Sequence, residues 1–239
     1  MSETKGFVAS PEAKGKAKQL RLYAILAWVA AMALQVFSIL KLISDETLIM
    51  MIVAIVVILG IAIVGSTCWK KSNKLDPTSE KNGLRFFVQN QLGAIMGVLC
   101  FLPMVIMIFT SNTISGKTKA IAGSAASVAM TAAGISGVEF DAASIEKYTE
   151  EINQQTETAK SFGINTDNVY WLKEGTKGNK YHSFNDCRYL KGKAVSNGSI
   201  KDSWEQKGSS ELCKVCQKKS AKAATSIKTT EKKLEPVGN

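Results

Sequence analysis

Charged residues vanish from this chain for long stretches and return densely after residue 138. Between Arg21 and Lys41 lie 19 uncharged residues, LYAILAWVAAMALQVFSIL, and between Glu46 and Lys70 lie 23, centred on IMMIVAIVVILGIAIVG. A third uncharged run extends from Phe86 to Gly116, with its apolar centre at LGAIMGVLCFLPMVIMIF. About 20 mostly apolar residues cross roughly 30 Å of hydrocarbon as a helix, so each run reads as a transmembrane span, over 21–41, 47–69 and 89–110. The first run is long, lacks a small-residue cleavage pattern and is followed at once by another span, which predicts a permanent helix rather than a cleaved signal. Pro103 is expected to kink the third span, because it removes a backbone donor and crowds the preceding turn.

A fourth stretch, Ala120–Val138 (AIAGSAASVAMTAAGISGV), is uncharged but holds few large apolar side chains. By hydropathy alone it reads equally well as a linker. Two features favour a helix over 120–138. Ala125, Ala129, Ala133 and Gly137 recur every four residues, a small-xxx-small face that admits another helix closely, with Gly93 and Gly97 of the third span as the opposing surface. The second feature is charge. The basic N-terminal tail, residues 1–19, and its continuation to Arg21 hold Lys5, Lys14, Lys16, Lys18 and Arg21, and the loop from Trp69 to Arg85 holds Lys70, Lys71, Lys74, Lys81 and Arg85. The opposite loops offer only Lys41, then Lys117 and Lys119. Cytosolic loops carry the Lys/Arg excess, so the N-terminus reads as cytosolic, and four spans return the C-terminal region to the same side.

The span centres contain no Asp, Glu, Lys, Arg or His, which disfavours a coupled transporter, since proton relays and ion pathways use ionisable groups inside the bilayer. Gln35, Ser38 and the Gln89-Asn90-Gln91 run are expected to hydrogen-bond between helices. Cys68 and Cys100 lie in or beside apolar spans and read as small hydrophobes without chemistry.

After Glu139 the pattern becomes amphipathic. Asp141 in an N-cap position and Gly163 past the last turn predict a connector helix within 139–165. Its stripe of Ile145, Tyr148 and Ile152 is suited to the membrane interface, to the module that follows or to a second copy, and a solvated spacer is an equal alternative.

The chemistry concentrates in residues 166–220. His182-x4-Cys187 is followed, 25 residues later, by Cys213-x2-Cys216, which uses the only His and three of the five Cys. A Cys-x2-Cys knuckle turns two sulfurs toward one ion, and His182, Cys187, Cys213 and Cys216 together complete the tetrahedral N/S shell that structural zinc prefers. A disulfide reading leaves one of three thiols unexplained, and a thioredoxin-like redox pair, the main rival, would need a βαβ context that is missing. Val169 and Trp171 alternate as in a strand, Gly175 and Gly178 permit a turn, and Lys180 to His182 would return to deliver the His. Ser199-x-x-Asp202 resembles a capping box opening a short helix to about Gln206, ended by Gly208. Tyr181, Tyr189, Leu190 and Trp204 are the expected apolar cover. About 50 residues bury little core, so the metal would supply much of the folding energy.

The run VYW, YH, CRYL, a Gly-Ser leading into a helix, and CKVC resembles the Ada-type metal-binding module. The chain as a whole, from about residue 20 to 219 and including FFVQNQLG at the start of the third span, resembles bacterial multi-span membrane proteins, mostly from Gram-positive species. That resemblance implies a bacterial cell membrane, four spans and Zn(2+) at His182, Cys187, Cys213 and Cys216, but no activity. In Ada a zinc-bound cysteine accepts a methyl group from DNA phosphate. Here the first ligand is His and the thiolates lack an activating context, so methyl transfer is not carried over.

The expected architecture is thus an α-helical membrane domain of four transmembrane helices (20–138), a helical connector (139–165), a small α+β zinc-binding module (166–220) and a basic disordered tail (221–239). The 30 Lys and Arg against 20 Asp and Glu, net +10, gather on the inner loops and the C-terminal region. Residues 169–221 alone hold 11 basic and 5 acidic side chains. A zinc shell closed by four protein ligands keeps no position for water, and there is no Ser-His-Asp set, phosphate loop or paired carboxylates, so no catalysis is expected. The leading expectation is a membrane-anchored interaction or sensing protein with a cytosolic structural zinc module and an unnamed protein partner. The alternative is a membrane-tethered nucleic-acid binder using the basic excess. The small-residue helix faces also suit oligomerisation.

Overall fold

The computed structural model describes residues 6–173, 176–208 and 211–222. It divides into two compact units, residues 14–144 and residues up to 13 together with those from 145 onward. Lys5, Gly175 and the tail from residue 223 lie outside the described residues.

The first unit is built from α1 (Pro11–Lys41), α2 (Leu48–Leu75), α3 (Gly83–Leu99), α4 (Leu102–Thr110) and α5 (Gly116–Gly137). These make four helices long and apolar enough to cross a membrane, with α3 and α4 forming one interrupted rod. Residues 11–19, expected as tail, are helical. Pro11 suits a first-turn position, and the Ser10 hydroxyl accepts from the Ala13 N–H at 3.2 Å. At 1.5 Å per residue α1 is about 46 Å long, more than a bilayer core requires.

The third rod breaks at Cys100–Phe101, and Pro103 falls in the first turn of α4, where a missing N–H leaves no bond unmade. The stretch that read equally as a linker is the helix α5, whose N-cap Ser115 accepts from the Thr118 N–H at 3.2 Å. Its small residues explain its place. A Cβ on Gly137 would lie 2.3 Å from the Gly93 carbonyl carbon, and one on Gly97 would lie 2.6 Å from the Ala133 oxygen. The backbones of α3 and α5 therefore touch through the glycines expected to face each other. The buried row is Ala122, Ala126, Ala129, Ala133 and Gly137. Ala125, expected in that row, is only partly buried, because 3.6 residues per turn rotate a strict four-residue repeat off the contact.

Polar groups gather at one end of this unit. The Gln89 carbonyl accepts from the Trp69 indole at 2.7 Å and the Asn73 amide at 2.8 Å, and Gln91 donates to the Glu139 carbonyl at 3.2 Å. Lys70 donates to the Ser136 and Val138 carbonyls at 2.9 and 3.2 Å, capping α5 with a cation. Arg21, about three turns into α1, pairs with Asp76 beyond α2. Chain entry and exit therefore share this end. Ser38 and Asn90 bond carbonyls of their own helices instead of a neighbour's, and the Gln35 Nε2, though buried, has no partner among the described residues. At the opposite end Asp45 accepts from the backbone N–H and hydroxyl of Ser115, which joins two loops. Hydrogen bonding from Thr118, then Ser115, lowers its carboxyl below the usual range.

The second unit contains α6 (Ile145–Ser161), β1 (Val169–Leu172), β2 (Lys180–Tyr181), β3 (Val195–Gly198), α7 (Ile200–Lys207), β4 (Glu211–Leu212) and a helical segment at 214–222. The α6 helix starts four residues after Asp141, because Ser144 still pairs as extended backbone with Thr78. Its stripe packs on the module: Ile152 and Ala159 are buried, and Ile145 and Tyr148 lie against the same core. Residues 6–10 join it too. Phe7 is 5% exposed, sits edge-on to Tyr148 at 5.1 Å, and Tyr148 in turn lies 5.2 Å from Trp204. The antiparallel pair β1–β3 runs from Val169↔Gly198 to Leu172↔Val195, and β2 pairs parallel with β4.

Candidate metal centre

Each of the four Cys and His side chains arrives on a different local device. The Tyr170↔His182 bridge, closed by N–H···O bonds of 2.7 and 2.8 Å, fixes the His backbone at the end of the returning strand. Gly178, at φ +128° and close to Leu172, makes the bend before it. Cys187 sits in a turn closed by Leu190 N–H on its carbonyl at 2.8 Å. Cys213 follows β4, and its N–H bonds the Tyr181 carbonyl at 2.8 Å, so the β2–β4 pairing places it beside His182. Cys216 lies on the first turn of helix 214–222. The Ser199–Asp202 capping box that precedes this region forms as expected, and α7 ends at Gly208 with φ +64°.

The four ligand atoms all lie within 4.8 Å of one another. His182 Nδ1 is 3.2 Å from Cys187 Sγ and 3.7 Å from Cys216 Sγ. A tetrahedral ion with metal–sulfur bonds near 2.3 Å and metal–nitrogen bonds near 2.0 Å spaces its ligands by about 3.5 Å. The cluster fits that shell. All four side chains are buried and all the cysteines are free thiols.

Electrostatics favours the same reading. Burial pushes the Cys216 thiol up to about 12, although the backbone N–H groups of Phe184 and Ser183 directed at its sulfur pull the other way. Burial, with a contribution from Lys193, holds His182 down to about 4. The protonated Cys216 thiol thus faces a neutral imidazole, and a bound cation would reverse the thiol's preference by taking the place of its proton. His182, Cys187, Cys213 and Cys216 can hold a metal ion.

No protein-family model, curated protein or solved structure matches the chain. The site must be understood from its own residues. Of the expected cover, Tyr181, Leu190 and Trp204 are buried, but Tyr189 is 47% exposed. Its ring turns outward beneath the Arg188 guanidinium, 4.8 Å from the centroid, and its hydroxyl accepts from Arg188 at 2.9 Å. Trp171, Val169 and Ile200 fill the core instead. The hydrogen-bonding groups around Cys216, and the docking of Phe7, carry no local sequence signature. Only the isolated Phe in a polar tail hints at the second.

Proposed function

We propose that this is a four-span membrane protein that presents a structural zinc module, on the cytosolic side, as an interaction or sensing domain without catalysis of its own. The observation that carries the reading is the convergence of all four N/S ligand atoms in a unit that also includes residues 6–13. The N-terminal segment and the metal module share one core, which supports placing both on one side of the bilayer with an even number of spans between them. The polar end of the helical unit supports this parity, since Arg21 of α1 and the C-terminal end of α5 both pair with the far end of α2 there. The Lys and Arg excess on that side makes it the cytosolic one. Bound zinc would supply a rigid crosslink between the strand that delivers His182, the Cys187 turn and the knuckle at Cys213–Cys216. Four protein ligands leave no open position for a substrate, which is why recognition is preferred over hydrolysis.

Two measurements test the reading. Elemental analysis of the full chain in detergent is expected to find one zinc per chain, lost on Cys213→Ser. An Asn239→Cys variant in intact cells is expected to resist an impermeant thiol reagent until the membrane is opened. Labelling from outside, above that of the parent chain, would overturn the topology.

A further inference from the structure

Beside the metal centre the module opens a cleft of about 320 Å³, within the usual size of a small-molecule site. Leu172 and Val215 contribute apolar wall, and Lys177, Lys180, Lys193 and Lys214 stand around it. Among the described residues no acidic side chain lines it. Lys180 is paired with Glu211 outside the cleft, and Glu211 also feels Lys214. Lys177 and Lys193 have no ion pair among the described residues. Several ammonium groups around one recess repel each other unless an anion lies between them. Tyr189 offers its half-exposed ring on the same wall, held in place by Arg188. His182 and Cys213 form part of the lining, so the shape of the cleft depends on the metal centre.

We infer that this cleft binds a small organic phosphate, its apolar or aromatic body against Leu172, Val215 and Tyr189 and its phosphate among the lysines. Freely rotating ammonium donors arriving from several directions suit a phosphate group with many acceptor sites. The inference rests on the metal-loaded module proposed above. An extended nucleic-acid strand or a lipid surface would need a continuous basic face, whereas this recess holds one ligand body.

The full chain in neutral lipid nanodiscs is titrated with 1-naphthyl phosphate and adenosine monophosphate, and separately with naphthol, adenosine and inorganic phosphate. At least one of the two organic phosphates is expected to bind saturably, about tenfold or more tighter than its neutral body or phosphate alone. The double variant Lys177→Gln/Lys193→Gln is expected to weaken that binding about tenfold with zinc content unchanged. Equal affinity for the neutral bodies, indifference to the double variant, or no saturable binding of either organic phosphate would overturn the inference. So would binding of only oligothymidine or phosphatidylserine vesicles. Zinc content reports separately on the metal reading: a chain without zinc refutes that reading, and a zinc-loaded chain that ignores both phosphates refutes only the cleft.

Discussion

The two units solve the problem of a small core in opposite ways. In residues 14–144 the α3–α5 contact packs on what is missing: Gly93, Gly97 and Gly137 have no side chain, and the buried row of α5 is alanine and glycine. The metal unit packs on bulk, with Trp171, Tyr181, Trp204 and Phe7 around a cluster of ligands. On the proposed membrane reading, the solvent explains the difference. In hydrocarbon an apolar side chain gains little by leaving lipid, so helices associate through close backbone approach and polar bonds at their ends. In water aromatic burial is favourable, and a module this small would gain further from the proposed metal crosslink.

The largest effect should come from the crosslink. Cys213→Ser, or chelation of the wild-type chain, removes a contribution on the order of 10 kcal/mol in structural zinc sites. Limited proteolysis of the full chain in detergent is then expected to cut residues 145 onward while leaving a protected fragment of 14–144. Simultaneous loss of both units would show that they are not independent.

Next in size is Gly137→Val in the helical unit. The added atoms meet the backbone of Gly93 and Ala94 at 2.3–2.4 Å, which cannot yield as a flexible side chain does. A loss of about 3 kcal/mol is expected, read as a lowered thermal midpoint of the helical unit in detergent. Gly60→Ala is the control: nothing lies within 4 Å of its added Cβ, and helix propensity predicts a gain of up to about 1 kcal/mol. If both variants behave alike, close approach is not what holds α3 to α5.

Phe7→Ala tests the other mode of packing. It removes a buried ring from Tyr148 and is expected to cost the metal unit about 3 kcal/mol, with zinc retained and proteolysis of that unit faster. An unchanged digestion rate would remove residues 6–10 from its core.

Much of this arrangement was legible in the chain, for reasons that differ by element. The long apolar helices follow from length and charge alone, and the Cys-x2-Cys and His-x4-Cys spacings drew attention to the four residues the fold brings together. The capping box at Ser199 is a local hydrogen-bond pattern, so local sequence reports it. What was hidden is non-local. Pairing of β2 with β4 joins residues 31 apart, the Phe7 N–H bonds Thr149 Oγ1 across 142 positions, and neither leaves a periodic trace. Tyr189 misled because an aromatic next to a ligand can equally face outward when an arginine covers it. Asp141 misled because an Asp ahead of a helical pattern is a cap only if the intervening backbone is free to turn.

The smallest effect distinguishes the units by pH. In the metal-free module between pH 6 and 8, Cys216 retains its proton because burial places it at about 12, whereas His182, at about 4, is already neutral. Metal binding needs the thiolate and the neutral imidazole. The metal-bound form therefore carries fewer protons than the metal-free form, and apparent affinity must rise with pH. Cys216 contributes one proton across the whole window, about tenfold or 1.4 kcal/mol per pH unit, and His182 contributes none. Competition against a chelator at three pH values is expected to show at least that slope. His182→Ala should lower affinity without changing the slope, while Cys216→His should reduce the slope by one proton. A slope that His182→Ala flattens would mean that the imidazole, not the thiol, gives up the proton. The helical unit has no Asp, Glu, Lys, Arg or His in its span centres, so over the same window its stability should stay level, and a parallel pH response there would mean that the two units do not unfold separately.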